Sequence, residues 1–456
     1  MRRAPVKFAL VKCALVLALL LVPRLAAALE IQNVANDSGI ELWLVEDHAN
    51  PIVSVAFGVK GGSGYDPAGK EGLAELASGL FDEGAGDLDS AAFQKQLNEH
   101  GIDFRFSAGQ DDFTGDLRFL SQDKDTAANL LNLALTKPRF DPEPLERIRN
   151  GLLIEIAQGE GDPGTIAGRN LDDMMLDGHP YGRPSNGTAT SVSALTAADL
   201  KDFVAHRFVR DRLHVAIVGD IDAAAAKAWA NAAFGALPQT AELDALPPLQ
   251  LPEKGRARVV DFAAPQATIL FAQPGIKRSD PDFFPAYLAN YVLGGGGFSS
   301  RLMNEVREKR GLVYGIGSDL WTMDAGGLIA GQFQTDPDKV VGAIDIVRAE
   351  WARMAKEGPT AQELADAKTY LMGYYPRNFT STLSAAQALR GLQLEELGID
   401  YVERRQKEIA AVTEDDVRRV AAKLLHADQL SFIVVGPVAQ IPLDGAEVVK
   451  APAAQN

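Results

Sequence analysis

The feature that most narrows the fold of this 456-residue chain is an internal repeat. Leu213-His-Val-Ala-Ile-Val-Gly219 and Leu430-Ser-Phe-Ile-Val-Val-Gly436 are short apolar runs that end in glycine, 217 residues apart. Thr196-Ala-Ala-Asp-Leu200 and Thr413-Glu-Asp-Asp-Val417 recur at the same spacing. Each reads as a helix N-cap followed by acidic first-turn residues. Gly58-Val-Lys60 and Gly275-Ile-Lys277 are a third match. Three coincidences at one spacing indicate two copies of one unit. The joint falls near 237–255, where Pro238, Pro247, Pro248 and Pro252 cluster. The expected division is a leader at 1–28, a first unit at 29–240, a linker at 241–255, a second unit at 256–440 and a tail at 441–456.

Each unit reads as α+β. In the first, 40–46 and 52–60 are strand-like, 70–80 and 90–100 are helical, and 102–108 and 113–119 alternate as strands do. Helical patterns run from 126 to 205, and the run at 213–219 closes the unit. The second unit repeats this with strands near 258–262, 268–273, 313–321 and 327–334, and with helices through most of 338–425. Early and late strands with helices between predict a sheet covered on one face by helices.

The leader stands apart in composition. Arg2, Arg3, Lys7 and Lys12 precede the apolar run Cys13–Val22, and Pro23 and Ala26-Ala27-Ala28 follow. This is the layout of a cleaved secretory signal, and the run is short for a stable membrane span. Its removal takes away five basic residues and no acidic one, moving the net charge from −16 to −21. It also removes the single cysteine. A thiol-free exported chain predicts a periplasmic location.

The composition excludes several chemistries. A strongly acidic chain lacks the broad basic face that nucleic acid requires. One cysteine supports neither a disulfide framework nor a cysteine-based zinc site. None of the six histidines pairs with another at i, i+4, the spacing that aims two imidazoles at one metal. Gln96-Leu-Asn-Glu99-His100 is one substitution short of H-x-x-E-H, but Gly101 ends that helix at once, so it reads as a helix terminus. No G-x-S-x-G and no phosphate-binding loop with its Lys-Ser/Thr is present.

Two segments remain. Leu293-Gly-Gly-Gly-Gly-Phe-Ser-Ser-Arg-Leu302 carries four consecutive glycines, Gly294, Gly295, Gly296 and Gly297, before a helix that Ser299 or Ser300 can cap. This predicts a flexible loop that admits an extended chain. Glu305-Val-Arg-Glu-Lys-Arg-Gly-Leu-Val-Tyr314 reads as a basic helix C-terminus capped by Gly311 and leading into a strand.

These residues carry a resemblance. The run Ser299-Ser-Arg-Leu-Met-Asn-Glu-Val-Arg-Glu-Lys-Arg-Gly-Leu-Val-Tyr314, set in a duplicated unit with strand-glycine endings, resembles the M16 (pitrilysin-like) metallopeptidases, and within them the M16B type related to mitochondrial processing peptidase. The resemblance covers the chain beyond its leader. It implies paired α/β units that form one clam-shell-like wall of a substrate chamber. It also implies a zinc motif H-x-x-E-H with a distant glutamate ligand, and an Arg/Tyr pair reaching the site from across the chamber.

Position by position, the metal segment is degenerate. Gly72-Leu-Ala-Glu75-Leu-Ala-Ser78-Gly79-Leu-Phe81 places Glu75 at the first histidine, Ser78 at the general-base glutamate and Gly79 at the second histidine. Glu155 stands where the third ligand belongs, 76 residues after Gly79, on what reads as a solvated helix face. Two carboxylates without histidine do not make a tight three-ligand zinc centre. Arg307 and Tyr314, seven apart, match the substrate-binding pair. An attacked peptide carbonyl gathers negative charge, and a guanidinium and a phenol can both donate hydrogen bonds to it. The resemblance therefore implies a subunit that binds no cofactor itself and supplies Arg307 and Tyr314. A zinc-bearing M16B partner and a peptide or unfolded-protein substrate complete this expectation. A non-proteolytic structural or peptide-binding role is the alternative.

Overall fold

The repeated apolar runs become central strands of two six-stranded sheets. The computed structural model describes residues 30–451; the leader at 1–28 lies outside them. In the first half the strands are β1 (Gln32–Asn33), β2 (Glu41–Glu46), β3 (Ile52–Lys60), β4 (Asp103–Ala108), β5 (Asp112–Leu120) and β6 (Leu213–Gly219). In the second they are β7 (Ala257–Asp261), β8 (Ala267–Pro274), β9 (Val313–Thr322), β10 (Gly327–Thr335), β11 (Ser431–Gly436) and β12 (Glu447–Lys450). The orders are β1-β2-β6-β3-β5-β4 and β12-β7-β11-β8-β10-β9. Five strands of each share one topology, β2-β6-β3-β5-β4 and β7-β11-β8-β10-β9, with β2–β6 and β7–β11 parallel; the outer edges differ, since β1 pairs antiparallel with β2 and β12 pairs parallel with β7. The segment read as a tail thus contributes an edge strand, and Ile441 within it is buried.

The repeat extends to side chains that the sequence match did not reveal. Phe57 on β3 lies directly opposite Gly115 on β5, and Phe271 on β8 opposite Gly331 on β10. A Cβ at Gly115 would lie 2.2 Å from the Phe57 ring, and one at Gly331 would lie 2.3 Å from the Phe271 ring. In each half a glycine leaves the space that its cross-strand phenylalanine fills. Phe57 then anchors an aromatic cluster with Phe106 and Phe234, at 5.8 and 5.3 Å between ring centres.

The expectation of helices on one face only needs correction. Each sheet has its own helices on one face and a helix from the other half on the opposite face. The helix Thr382–Leu394 of the second half packs on β3 and β6, with Ala385, Ala386, Leu389 and Leu392 against Trp43, Ala56, Ala216 and Val218. The helix Pro163–Leu176 of the first half packs on β8 and β11, with Ile166, Leu171 and Met175 against Ala272, Ile433 and Val435. The physical reason is that the central strands are apolar on both sides. β11 is buried along its whole length, and a sheet apolar on both faces needs two covering layers.

Polar contacts fix the exchange. Arg390 Nη1 and Gln387 Nε2 donate to Asp116 at 2.7 and 2.9 Å, and Arg258 pairs with Asp173 at 2.7 Å. The repeated lysines converge on one residue: Lys60 Nζ pairs with the Asp324 carboxylate at 2.9 Å, and Lys277 Nζ donates to the Asp324 carbonyl at 2.7 Å. Asp324 lies in the β9–β10 turn, and its N–H donates to Asp111 in the β4–β5 turn at 3.1 Å. The linker is packed rather than free. Leu246, Leu249 and Leu251 lie against the Pro163–Leu176 contact, and Leu249 N donates to Ala325 O at 3.1 Å. The helix Ala223–Phe234 follows β6, so the first half extends beyond the strand expected to close it.

Gly115→Ala is expected to destabilise the fold by about 2 kcal/mol, the scale of overpacking a filled core site. In urea unfolding, Phe57→Leu should recover part of that loss in the double variant. Additive effects would show that the two residues do not share one space.

Candidate functional site

Two places correspond to the residues singled out by sequence. The first is the helix Leu73–Ser78. It starts at Gly72, whose φ of 89° is the left-handed region that glycine tolerates. Its free N–H groups are met from outside the helix: the buried Asp66 carboxylate accepts from Gly72 N at 3.1 Å and Ala74 N at 3.2 Å. Burial pushes the Asp66 carboxyl up to about 7, although these bonds and Arg207 favour its charge.

This helix carries Glu75, Ser78 and then Gly79. Burial raises the Glu75 carboxyl above the ordinary carboxylate range, and the charge of Glu155 adds to the rise. Glu155 itself is exposed and accepts from Asn186 Nδ2 at 2.9 Å. Ser78 Oγ donates to the Glu75 carbonyl, 2.8 Å away within its own helix. At Gly79 a Cβ would lie 2.9 Å from Ile148 Cγ2, so Ile148 occupies the room a larger residue would need. Among the described residues no three His, Cys, Asp or Glu side chains are grouped so as to hold a metal ion. The side chains present do not fit zinc: two carboxylates, one hydroxyl and a glycine packed under an isoleucine.

The second place is built by Tyr291–Tyr314. The flexible glycine loop expected there is not what forms. The helix Phe283–Asn290 runs on as a π-helical turn over Tyr291–Gly295, and Gly297–Ser299 is a 3₁₀ turn. The glycines serve close packing and one backbone turn. A Cβ on Gly294 would lie 2.2 Å from Ser318 Oγ, one on Gly296 would lie 2.8 Å from Tyr291 O, and Gly297 has a φ of 55°. Buried Asn290 ties this turn to β9, donating to Ser318 O at 3.0 Å and accepting from Ser318 Oγ at 2.7 Å. Ser300 caps the next helix, accepting from Met303 N at 3.4 Å.

Arg301, also in this run, has a structural role. It is 6% exposed and grips Glu363 through two bonds of 2.8 and 2.7 Å, and it donates to Gly358 O at 2.9 Å. Met303–Glu308 is a second π-helical segment, and these are the two π segments among the described residues. Such turns recur at functional sites because they alter the phase of the side chains they carry. Gly311, at φ 60°, ends the helix and directs the chain into β9.

Arg307 and Tyr314 are brought together. The Arg307 guanidinium lies 5.4 Å from the centre of the Tyr314 ring and 4.7 Å from that of Phe298. Tyr314 is 89% exposed and Phe298 71%. The other cations nearby are engaged: Lys309 and Arg310 both bind Glu305, at 2.6 and 2.7 Å, and these bonds lower the Glu305 carboxyl. Among the described residues Arg307 pairs only with its neighbour Glu308, at 2.9 Å, an exposed contact of little strength. The result is one available guanidinium and one free phenol on the surface. Phe298 had no assigned role from sequence; its position directly after the glycines was the available signal. No hydrogen bond or ion pair among the described residues links this pair to Glu75, Ser78, Gly79 or Glu155.

Comparison with known proteins agrees with this architecture. A family profile described as insulinase (peptidase family M16) matches residues 42–189, and one described as peptidase M16 inactive domain matches 194–371. An uncharacterized zinc protease of Streptomyces coelicolor is 31% identical over 70% of this chain and 71% of its own. A Helicobacter pylori protein named non-peptidase homolog YmxG is 28% identical over 78% and 82%. The crystal structure of a peptidase M16 inactive domain from Pseudomonas fluorescens superposes with a TM-score of 0.85 at 31% identity, covering 90% of this chain and 98% of that one. The chain belongs to the M16 peptidase family. Within it, a metal segment without H-x-x-E-H places the chain among the non-zinc-binding members.

Two outcomes are expected. Glu75 keeps its proton in the folded state above the ordinary value of 4.5. The folded chain therefore binds more protons than the unfolded one in that window, and this group lowers stability as pH rises through it. Glu75→Gln should raise the urea midpoint at pH 8 but not at pH 4, and an equal gain at both would reject the assignment. Separately, the triple change Glu75→His, Ser78→Glu and Gly79→His should bind zinc at least about tenfold more tightly when Ile148→Ala is added. Equal affinities by calorimetry would show that Ile148 is no obstacle.

Proposed function

We propose that this chain is the non-zinc-binding subunit of a heteromeric M16 metalloendopeptidase. The observation that carries the reading is an asymmetry: the Arg307/Tyr314 pair is intact and assembled, while the metal segment holds no ligand set. A surface kept for substrate contact without its own metal is half of a peptidase site. In this reading the zinc ion belongs to a partner chain that bears H-x-x-E-H, and both chains work in the periplasm after export.

The chemistry of this half follows from its donors. Arg307 presents a planar guanidinium and Tyr314 a hydroxyl, neither with a buried partner to give up. A peptide carbonyl oxygen placed between them accepts from both. As negative charge grows on that oxygen, both bonds strengthen, so the pair stabilises the transition state more than the bound substrate. Phe298 covers part of the guanidinium and strengthens the field at its remaining donors by excluding water. The Glu308 contact costs little to displace.

A second reading is a non-proteolytic structural or peptide-binding role, and the name non-peptidase homolog carried by the Helicobacter pylori relative favours its non-proteolytic part. One experiment separates the two. The purified chain should not cleave an unfolded peptide, and adding an H-x-x-E-H-bearing M16 chain from the same cell should produce cleavage. In that mixture Arg307→Ala and Tyr314→Phe should each lower kcat by about 10²-fold, with the subunits still co-eluting. If the mixture stays inactive, or if turnover survives both changes, the non-proteolytic reading stands.

A further inference from the structure

The second half carries an aromatic stack beside the candidate site. Tyr291 begins the π-helical turn, and its ring lies 5.4 Å from Tyr370. Tyr370 stacks on Tyr374, one helical turn further along the helix Ala361–Tyr374, at 5.5 Å and 13° between planes. Arg377 caps the far end, 5.0 Å above Tyr374. Tyr370 is 51% and Tyr374 45% exposed. None of the three hydroxyls makes a hydrogen bond, and the Arg377 guanidinium makes neither a hydrogen bond nor an ion pair among the described residues. The Tyr291–Phe298 run connects the stack to the Arg307/Tyr314 cluster, with Gly296 packed against the Tyr291 ring.

Tyr291 also packs on the core of the second half, but Tyr370 and Tyr374 leave apolar area uncovered beside it, the kind of surface that marks a contact site. On a chain with a net charge of −16, the stack is flanked by one free guanidinium and by another held only by its sequence neighbour. The occupant that fits is a peptide carrying both an aromatic ring and a carboxylate.

We propose that Tyr291, Tyr370, Tyr374 and Arg377 form a second contact surface for the peptide held at Arg307 and Tyr314. The rings take an aromatic side chain, and Arg377 takes a neighbouring carboxylate. The inference rests on the reading that Arg307 and Tyr314 contact a peptide, and the test separates the two.

The measurement is fluorescence anisotropy with the full chain and three labelled unstructured peptides. The parent contains one Phe and one Glu two residues away; the others replace Phe by Ala or Glu by Gln. Wild type should bind the Ala peptide about fivefold more weakly than the parent, the scale of one aromatic contact. Tyr370→Ala combined with Tyr374→Ala should erase that difference. Arg377→Ala, at an exposed position that folding does not use, should erase the preference for Glu over Gln. Arg307→Ala should weaken all three peptides together. If the tyrosine variant keeps the wild-type preferences, the stack is not the contact surface and the Arg307/Tyr314 reading is untouched. If Arg307→Ala changes nothing while the tyrosine variant loses the aromatic preference, the stack stands and the other reading falls. If the tyrosine variant binds peptides as wild type does but no longer co-elutes with a zinc-bearing partner chain, the surface is a subunit interface and the proposal is overturned.

Discussion

The exchange of helices between the two halves is the contact on which the rest of the molecule depends. β3, β6, β8 and β11 are apolar on both faces, and the helices of one unit cover only one of them. Thr382–Leu394 and Pro163–Leu176 supply the missing layers across the pseudo-twofold junction. Separating the halves would expose both inner faces at once, in addition to breaking the Lys60 and Asp111 contacts to Asp324. Buried apolar area of that extent, at roughly 25 cal/mol per Å², outweighs any surface ion pair. The two halves are therefore held together as one body by apolar packing.

Much of this was legible in the residues, and what was missed has definite causes. The 217-residue spacing gave the duplication, and apolar runs, with period-two alternation at 102–108 and 113–119, located β2 to β6 and β7 to β11 within a residue or two. The coverage of the sheets was misread, although the signal was present: 213–219 and 430–436 are continuous apolar runs, and such runs belong to strands buried on both faces. What the sequence does not contain is the identity of the covering helix, because that pairing joins residues some 100 to 350 positions apart. The Phe57/Gly115 and Phe271/Gly331 pairs were hidden for the same reason. Each glycine has meaning only opposite its phenylalanine.

The candidate site divides along the same line. Arg307 and Tyr314 could be named because their spacing belongs to a long recognisable run. The run of four glycines was misjudged because glycine permits a loop without requiring one. Here the absence of a Cβ is used for close packing on Ser318 and Tyr291, and a flexible loop would leave Asn290 without its partner on β9. The repeat makes the point sharper. Shifted by 217 residues, the helix Leu73–Ser78 falls on the Asn290–Gly295 turn, so the same turn of the duplicated unit is the degenerate metal helix in one half and the glycine turn before Arg307 in the other.

The fold of the first half does not rely on Glu75 or Ser78 at this helix. The helix there is held by Asp66 at its N-terminus and by Leu73, Ala74, Leu76 and Ala77 on its buried face; Glu75 and Ser78 contribute little to either. With Ile148 packed against Gly79, an apolar contact fills the space and the helix remains in place. No such freedom exists around Arg307. The run that carries it is also the run that supplies Arg301 to Glu363, Met303 to the core and Glu305 to Lys309 and Arg310. Each of these neighbours is committed to the fold, and together they leave Arg307 as the cation able to face a ligand. Its availability is thus a consequence of how the surrounding charges are satisfied.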